Sequence, residues 1–304
     1  IKAPSAMMLA MARAMVLMGM ASDRIVLFGT KGGPRIIKGG SWPSSNAIVI
    51  NNQVYLIDAG LRVTRQFVEA GFDYSQLGVI FITHHHSDHN LELGGLIHTA
   101  WLGAPPHPIT VHGPKGLDHL MRHALASQAF DITTRVEDEG LADIHELVSW
   151  QEFTEGPVFE DDHVRVTALR VAHPPVEECY ALKFDTGSKV VVFGADTAFF
   201  PPLADFAKGA DILVHEAMHL PTARQICDDL KATKPRLWDH LNASHTSCAD
   251  VGRLASMAEC GHLVINHYVP EPGYRASVED FEHAVRQTYG GPLTMGRDQL
   301  SLEI

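Results

Sequence analysis

The feature that most constrains this chain is the stretch at residues 83–89, which reads Thr-His-His-His-Ser-Asp-His. It follows the apolar run Val79–Ile82, which is short and rich in β-branched residues and therefore predicts a buried strand. Alternate residues at an extended strand end point to one side, so His84, His86 and Asp88 are expected to converge. Imidazole and carboxylate groups are the ligands that zinc and similar transition metals prefer. The stretch therefore predicts a metal site at the end of a buried strand.

The pattern His-x-His-x-Asp-His, completed by His89, resembles the signature of the metallo-β-lactamase fold superfamily, whose members are mostly metal-dependent hydrolases. A histidine run can also be an incidental metal-binding patch, but this spacing after a buried strand favours a dedicated site. The family pattern requires three further ligands, and the chain offers His173, Asp196 and His267, each just after an apolar, strand-like run. The resemblance runs from about residue 24 to about residue 270. It implies an α/β fold with the four-layer αββα sandwich of this superfamily.

The resemblance also implies a site for two divalent metal ions. One ion would be held by His84, His86 and His173. The second would be held by Asp88, His89 and His267, and Asp196 would bridge the two ions. A hydroxide that bridges the ions would be the nucleophile, because paired metals lower the pKa of a bound water. Asp88 would orient that water or accept its proton. Zinc is the favoured metal, with manganese or iron as alternatives, because His/Asp sites accept all three.

Three more side chains receive roles from the same resemblance. Asp58 follows the strand-like run at residues 53–57 and would hydrogen-bond a metal-ligating imidazole. His245 precedes a late helix and matches a His-[Thr/Ser] element of ribonuclease Z-like proteins. It would protonate the leaving group, with Glu216 orienting it. The alternative is that His245 only caps or packs at the start of that helix.

Two groups of residues are candidates for substrate contacts. Lys31 and Arg35 belong to the Gly-rich loop at residues 29–35 and would meet an anionic group, although a tight turn is the alternative for this loop. Aromatic side chains near the ligands would form an apolar pocket for an aryl or hydrophobic ester, with ordinary packing as the alternative. These side chains are Phe199, Phe200, Trp238 and Tyr268.

The sequence around the signature and the Gly-rich loop looks most like the arylsulfatase-type branch of ribonuclease Z-like hydrolases. We therefore predict a hydrolase of a small aromatic ester, with an aryl sulfate favoured and a phosphodiester second. The alternatives are a ribonuclease Z-like tRNA 3′-processing endonuclease, a lactonase or thioester hydrolase, and a zinc protein without enzymatic activity. The tRNA-processing members carry a long arm between the third histidine and the bridging aspartate, and the separation of His173 and Asp196 leaves no room for one.

Charge bears on the expected partner. The formal net charge is −12, from 24 basic and 36 acidic residues. This balance disfavours nucleic acid, whose backbone is recognised by basic surfaces. A small-molecule ester is therefore the expected partner, and the resemblance implies a homodimer.

The chain divides into a short N-terminal segment and one long domain. Residues 1–22 are rich in Met and Ala and predict either an amphipathic helix or the remnant of a targeting segment, while residues 23–304 are expected to form a single domain. The N-terminal segment is too short and too interrupted to span a bilayer, so no transmembrane segment is expected. The four cysteines lack the C-x-x-C spacing and are expected to be free thiols. They leave the compartment of a soluble protein open between cytoplasm and periplasm.

Overall fold

The structure is a computed structural model that describes residues 22–304. The Met- and Ala-rich segment predicted for residues 1–22 therefore lies outside the described residues, apart from Ser22. The centre of the fold consists of two mixed β-sheets of seven strands each.

The first sheet is built from the N-terminal half of the described chain and the last strand. Its strands are β1 (Arg24–Gly29), β2 (Ser45–Ile50), β3 (Gln53–Ile57), β4 (Leu77–Phe81), β5 (Ile109–Gly113), β6 (Val148–Glu152) and β14 (Leu300–Glu303). Their spatial order is β14-β1-β2-β3-β4-β5-β6. In this spatial order the pairs from β14 to β3 are antiparallel, and the pairs from β3 to β6 are parallel.

The second sheet repeats this plan with the C-terminal half. Its strands are β7 (Gly156–Glu160), β8 (Arg165–Arg170), β9 (Tyr180–Asp185), β10 (Val190–Phe193), β11 (Ile212–Met218), β12 (His262–Val269) and β13 (Leu293–Met295). Their order is β13-β12-β11-β10-β9-β8-β7. The pairs from β7 to β10 are antiparallel and those from β10 to β13 are parallel.

Helices cover the outer face of each sheet. The helices of the first half are α1 (Val63–Glu69), α2 (Ser87–Asn90), α3 (Leu93–Leu102), α4 (Leu117–Ser127), α5 (Ala129–Glu139) and α6 (Ile144–Leu147), with a 3₁₀ turn at Tyr74–Gln76. Those of the second half are α7 (Pro201–Phe206), α8 (Leu220–Asp229), α9 (Leu237–Ser244), α10 (Cys248–Ala258) and α11 (Val278–Arg286). Within residues 22–304, none of them is long and apolar enough to cross a membrane.

Three apolar cores give the fold its layers. β4 shows how the layers arise, because all five of its residues are buried and alternate residues enter different cores. Ile80 packs with Phe67 of α1 in the core beneath the first helical layer. Phe81 packs with Phe184 of β9 in the core between the two sheets. A third core joins the second sheet to Val251 of α10 and its neighbours. The predicted four-layer αββα arrangement is confirmed.

The two sheets meet at the edge where the predicted ligands lie. Tyr180 N of β9 donates a hydrogen bond to Thr83 O in the loop after β4 (3.1 Å). The loops after β3, β4, β8 and β10 and the end of β12 all converge there. Because each sheet delivers its own set of polar residues to this edge, a site can form between the two halves of the chain.

Candidate active site

The segment after β4 carries four of the seven predicted ligands. Residues 82–86 are irregular, and His86 stands at the N-terminus of α2 with φ −70° and ψ 146°. Asp88 and His89 therefore lie on a short helical turn, both buried. Alternation along an extended strand end does not describe this geometry. The ligands converge because the chain turns into a helix beside the strand end.

The first donor group consists of three histidines from both halves of the chain. His84 Nε2 lies 3.1 Å from His86 Nδ1, and His173 Nε2 lies 3.1 Å from the same atom. Zinc–nitrogen bonds of about 2.0–2.1 Å in a tetrahedral site place neighbouring ligand nitrogens about 3.3 Å apart. The three ring nitrogens therefore have the spacing of one face of a metal coordination tetrahedron.

The second donor group has the same spacing. His89 Nε2 lies 3.6 Å from Asp88 Oδ2 and 3.4 Å from Asp196 Oδ2. His267 Nε2 lies 3.5 Å from Asp88 Oδ2 and 3.1 Å from Asp196 Oδ2. Asp196 Oδ2 is also 4.0 Å from His84 Nε2 of the first group. Asp196 thus stands between the two groups, where the sequence predicts a bridging ligand.

Unpartnered nitrogens show that these residues fit a metal ion. His89 Nε2 and His267 Nε2 are buried and have no hydrogen-bond partner among the described residues. A buried polar atom without a partner costs about 1–3 kcal/mol. A cation within each group would satisfy these nitrogens and balance the two carboxylates, Asp88 and Asp196. The donor set is the one that zinc, manganese or iron accepts.

The outer nitrogens of the ligating rings are held by hydrogen bonds. His89 Nδ1 contacts Asp58 Oδ2 at 2.7 Å, and His173 Nδ1 contacts Ser244 O at 2.8 Å. His84 Nδ1 contacts Thr83 Oγ1 at 3.1 Å, and Thr83 in turn donates its N–H and its hydroxyl to Asp58. These bonds fix the ring orientation and leave Nε2 of each ring directed into the site. Asp58 therefore contacts one candidate ligand, His89, directly and a second, His84, through Thr83.

Burial and charge set the ionisation of the ligands. Burial lowers the pKa of His84 well below its usual value and also lowers that of His173, so both rings are neutral and can donate a lone pair to a metal. Burial would likewise lower the pKa of His267, but the carboxylates of Asp196 and Asp88 outweigh it and raise this pKa to about 10. The second group is therefore the more strongly negative part of the site.

His245 and Glu216 form a hydrogen-bonded pair beside the ligands. His245 Nδ1 contacts Glu216 Oε2 at 2.7 Å, and the His245 ring centroid is 5.3 Å from that of His173. Glu216 Oε1 accepts a hydrogen bond from Thr197 N (2.7 Å), which fixes the carboxylate. Burial acts to lower the pKa of His245, but Glu216 outweighs it and raises this pKa. The helix-capping alternative does not apply, because Ser247 caps α10.

The Gly-rich loop forms one wall of the site through its backbone. Gly33 N donates to Asp88 Oδ2 (2.7 Å). A Cβ on Gly32 would lie 2.9 Å from Cε1 of His267, so only glycine lets the chain approach this ring. Lys31 is 3% exposed, and its ammonium contacts Gly32 O and Gly33 O. The expectation that Lys31 binds substrate is corrected: it holds the loop.

The other predicted substrate contacts have mixed positions. Tyr268 is buried in the core and donates its hydroxyl to Gly296 O (2.9 Å), so it does not line a pocket, contrary to the sequence prediction. Arg35 is exposed on the loop. Phe199 and Phe200 are half-buried and pack against the second core, and Trp238 is half-buried against the side chains of Met218, Ala223 and Val269.

A small cavity lies behind the second donor group. Its volume is about 30 Å³, and residues of both sheets line it, among them His215, Asn266 and His267. Each of these three contributes a buried polar atom without a hydrogen-bond partner among the described residues: His215 Nε2, Asn266 Oδ1 and His267 Nδ1. A space of this size and polarity suits one water molecule, which needs about 10–15 Å³.

Sequence reasoning missed one histidine at the mouth of the site. His240 on α9 is half-buried, and its ring centroid lies 6.3 Å from that of His86 and 6.1 Å from that of His245. The signal that could have found it is the His-x₄-His spacing between His240 and His245. That spacing identifies neither residue without knowing that a helix ends between them.

The chain is similar over most of its length to several known proteins. The ribonuclease Z of Mycobacterium bovis (strain BCG / Pasteur 1173P2) is 28% identical over 255 residues, which cover 83% of this chain and 88% of that protein. The metallo-β-lactamase fold protein YhfI from Bacillus subtilis superposes with a TM-score of 0.67 at 18% identity, covering 93% of this chain and 99% of that one. The short form of human tRNase Z gives a TM-score of 0.64 at 18% identity, covering 92% and 99%.

These likenesses confirm the predicted resemblance to metallo-β-lactamase fold, ribonuclease Z-like hydrolases. A family model described as "Anti-Pycsar protein Apyc1" matches residues 36–228, which include six of the seven candidate ligands. Because this match spans more than half of the 304 residues, the chain belongs to the Apyc1 anti-Pycsar protein family.

Proposed function

We propose that this metal-dependent hydrolase is a phosphodiesterase. The observation that carries the proposal is the pair of donor groups at metal-ligand spacing with His245 beside them. Phosphorus is favoured over sulfur as the reacting atom because the relatives at hand are named ribonuclease Z and tRNase Z, and a ribonuclease cleaves phosphodiesters. Phosphodiester hydrolysis, second in the sequence-based order, therefore replaces aryl sulfate hydrolysis as the favoured reaction.

The residues of the chain divide the work in this proposal. Divalent metal ions held by the two donor groups would supply an activated water and positive charge for a phosphoryl oxygen. Asp88 is held by a hydrogen bond from Gly33 N to its Oδ2, and its carboxylate would orient the reacting water or accept its proton. His245 is held by Glu216 through Nδ1, which leaves Nε2 available for proton transfer. It protonates the leaving oxygen, which is the step that a poor leaving group requires.

Two kinds of observation bear on whether the phosphodiester belongs to a nucleic acid, and they point in opposite directions. The net charge of −12 disfavours nucleic acid, and the loop between His173 and Asp196 holds only β9, β10 and their connections. The name of the ribonuclease Z relative counts against the prediction that nucleic acid is not a partner. We therefore place a small ribonucleotide phosphodiester first among the candidate substrates and a precursor tRNA second. A lactone or thioester remains the carbonyl alternative, since the same donors can polarise a carbonyl.

A substrate panel on protein of known metal content tests the proposal. Elemental analysis first establishes which metal is present and in what ratio; zinc at two per chain is the expected result. The panel contains bis(p-nitrophenyl) phosphate, p-nitrophenyl sulfate, a dinucleoside monophosphate, a precursor tRNA and an acyl homoserine lactone. We expect the phosphodiesters to be cleaved and the sulfate to be cleaved at least about 100-fold more slowly, a difference of about 2.7 kcal/mol in barrier.

Variants guard this experiment against contaminants. His84→Ala removes a ligand of the first group and should abolish hydrolysis. Arg165→Gln, an exposed change on β8, should not alter it. Faster cleavage of the sulfate or the lactone than of every phosphodiester would reject the proposal. The homodimer implied by the resemblance is tested on the same preparations by sedimentation equilibrium.

A further inference from the structure

We propose that α9 carries a subsite for a second phosphate group of the substrate, formed by His240 at the mouth of the metal centre and by Arg236 one helical turn further out. The inference rests on the proposed phosphodiesterase function and names the class of substrate: phosphodiesters that bear a neighbouring phosphate. His240 and Arg236 would be specificity-determining residues. Neither belongs to the predicted metal ligands.

His240 lies beside the first donor group and the candidate acid His245. Its ring centroid lies 6.3 Å from that of His86, 6.5 Å from that of His173 and 6.1 Å from that of His245. It is half-buried, so one side of the ring remains open to solvent. Its Nδ1 makes only a 3.5 Å contact with Ser244 Oγ, whose hydroxyl donates to Pro174 O. Its Nε2 has no hydrogen-bond partner within residues 22–304 and is free to meet a substrate oxygen.

The orientation of α9 places Arg236 on the same side. Trp238 and Leu241 hold the other side of the helix against a small core that includes Met218. The helical hydrogen bond from His240 N to Arg236 O (3.1 Å) sets the two residues one turn apart, about 5.4 Å along the axis. Residues spaced by four lie on one face of a helix, so Ser244, His240 and Arg236 share a face of α9. Ser244 is buried and its carbonyl contacts His173, His240 is half-buried and Arg236 is exposed, so this face runs from the site to the surface.

The charge of this segment suits a phosphate. Residues 231–236 contain three cations and no carboxylate, in a chain whose net charge is −12. All three are exposed: Lys231, Lys234 and Arg236. None of their side chains forms an ion pair or hydrogen bond with any residue the structure describes. The nearby Arg224 and Arg275, by contrast, are paired with aspartates of α8. A planar guanidinium without a protein partner is the side chain best adapted to bind a phosphate in two-point fashion.

Binding of two nucleotides that differ by one phosphate tests the subsite. Adenosine 3′,5′-bisphosphate carries two phosphates joined by one ribose, a spacing comparable with one helical turn, and AMP carries one. Titration calorimetry on the metal-loaded protein measures both dissociation constants without requiring turnover. We expect the wild-type protein to bind the bisphosphate about tenfold more tightly, the effect of one charged hydrogen-bonded pair. Arg236→Gln should remove most of that preference, and His240→Gln should reduce it.

The matched control is Arg165→Gln, which removes the same charge from an exposed site at the start of β8 and should retain the preference. Equal affinity of the wild-type protein for both nucleotides overturns the inference. So does an Arg236→Gln protein that keeps the preference, or a loss of equal size in Arg165→Gln. The outcome is separable from the proposed function: a bisphosphate preference without hydrolysis of any phosphodiester would keep the subsite and reject the phosphodiesterase.

Discussion

Replacing Asp58 by asparagine is expected to weaken metal binding by the second donor group and to leave the fold intact. Asp58 has φ +64°, a left-handed conformation that asparagine tolerates better than other non-glycine residues. The substitution is also isosteric. The change therefore removes a charge and one acceptor without forcing the backbone to move.

The hydrogen bonds of Asp58 set the size of the effect. Its Oδ1 accepts from Thr83 N (2.8 Å), and its Oδ2 accepts from His89 Nδ1 (2.7 Å). An asparagine that keeps its oxygen on Thr83 must turn its NH₂ toward His89, so the charge-assisted bond to the imidazole is lost. Such a bond contributes about 1.5–3 kcal/mol. That corresponds to a fall of about 10–100-fold in affinity for the ion held by His89, the range found when partners of metal ligands are removed.

Competition with a chromophoric chelator measures this fall. The titration should show two binding steps for the wild-type protein, and in Asp58→Asn one step should weaken while the step assigned to His84, His86 and His173 stays within a factor of about three. Asp73→Asn, at the exposed cap of the 3₁₀ turn, is the matched control and should behave as wild type. Equal weakening of both steps, or of neither, would refute the reasoning that Asp58 acts through His89.

Three more predictions follow from the contacts. Glu216→Gln keeps the acceptor for Thr197 N but removes the charge beside His245. It should slow the turnover of alkyl phosphodiesters by about 10–100-fold and spare p-nitrophenyl esters, because their leaving group needs no proton. Elemental analysis should show an unchanged metal content. Lys31→Met removes the ammonium from Gly32 O and Gly33 O and should lower the free energy of unfolding by about 1–3 kcal/mol in urea titrations, whereas Lys38→Met, at an exposed position beyond the loop, should not. Removing metal with a chelator should lower the melting temperature, because Asp88 and Asp196 then remain buried beside unpartnered imidazoles, and adding back zinc should restore it.

The ligands could be found in the sequence because each one follows a run of buried residues. His84 follows β4 and Asp196 follows β10, while His267 lies near the end of β12. Short apolar runs identify strands, and the polar residues that directly follow such runs collect at one edge of a layered α/β fold. The hairpin of β2 and β3 was predictable for a similar local reason, since Asn51 and Asn52 adopt the positive φ values of 49° and 67° that its turn requires.

The sequence could not predict which way a side chain points where that direction is set by packing against residues distant in the chain. Tyr268 neighbours a ligand in sequence, yet it alternates to the opposite face of β12 and enters the core beside Phe281. Lys31 has the charge of a phosphate-binding residue, but the loop folds over it. Residues 150–162 are rich in acidic side chains, yet they contribute to β6 and β7, because edge strands need only partial burial. In each case local composition was read correctly and tertiary contacts decided the position.

The division of ligands between the sheets has a consequence for how the site can vary. Both donor groups combine residues from the two halves of the chain. Those of the first half follow β4, and those of the second half follow β8 or β10 or lie in β12. The packing of Phe81, Phe184 and Val264 between the sheets therefore helps to set how the two halves of the site meet. Helix α9 contacts the site through Ser244 O, which holds His173, and through the ring of His240, which lies near those of His86 and His245. If α9 carries the proposed subsite, substitutions of Arg236 and His240 can change substrate preference while the donor groups are retained, because neither residue belongs to those groups.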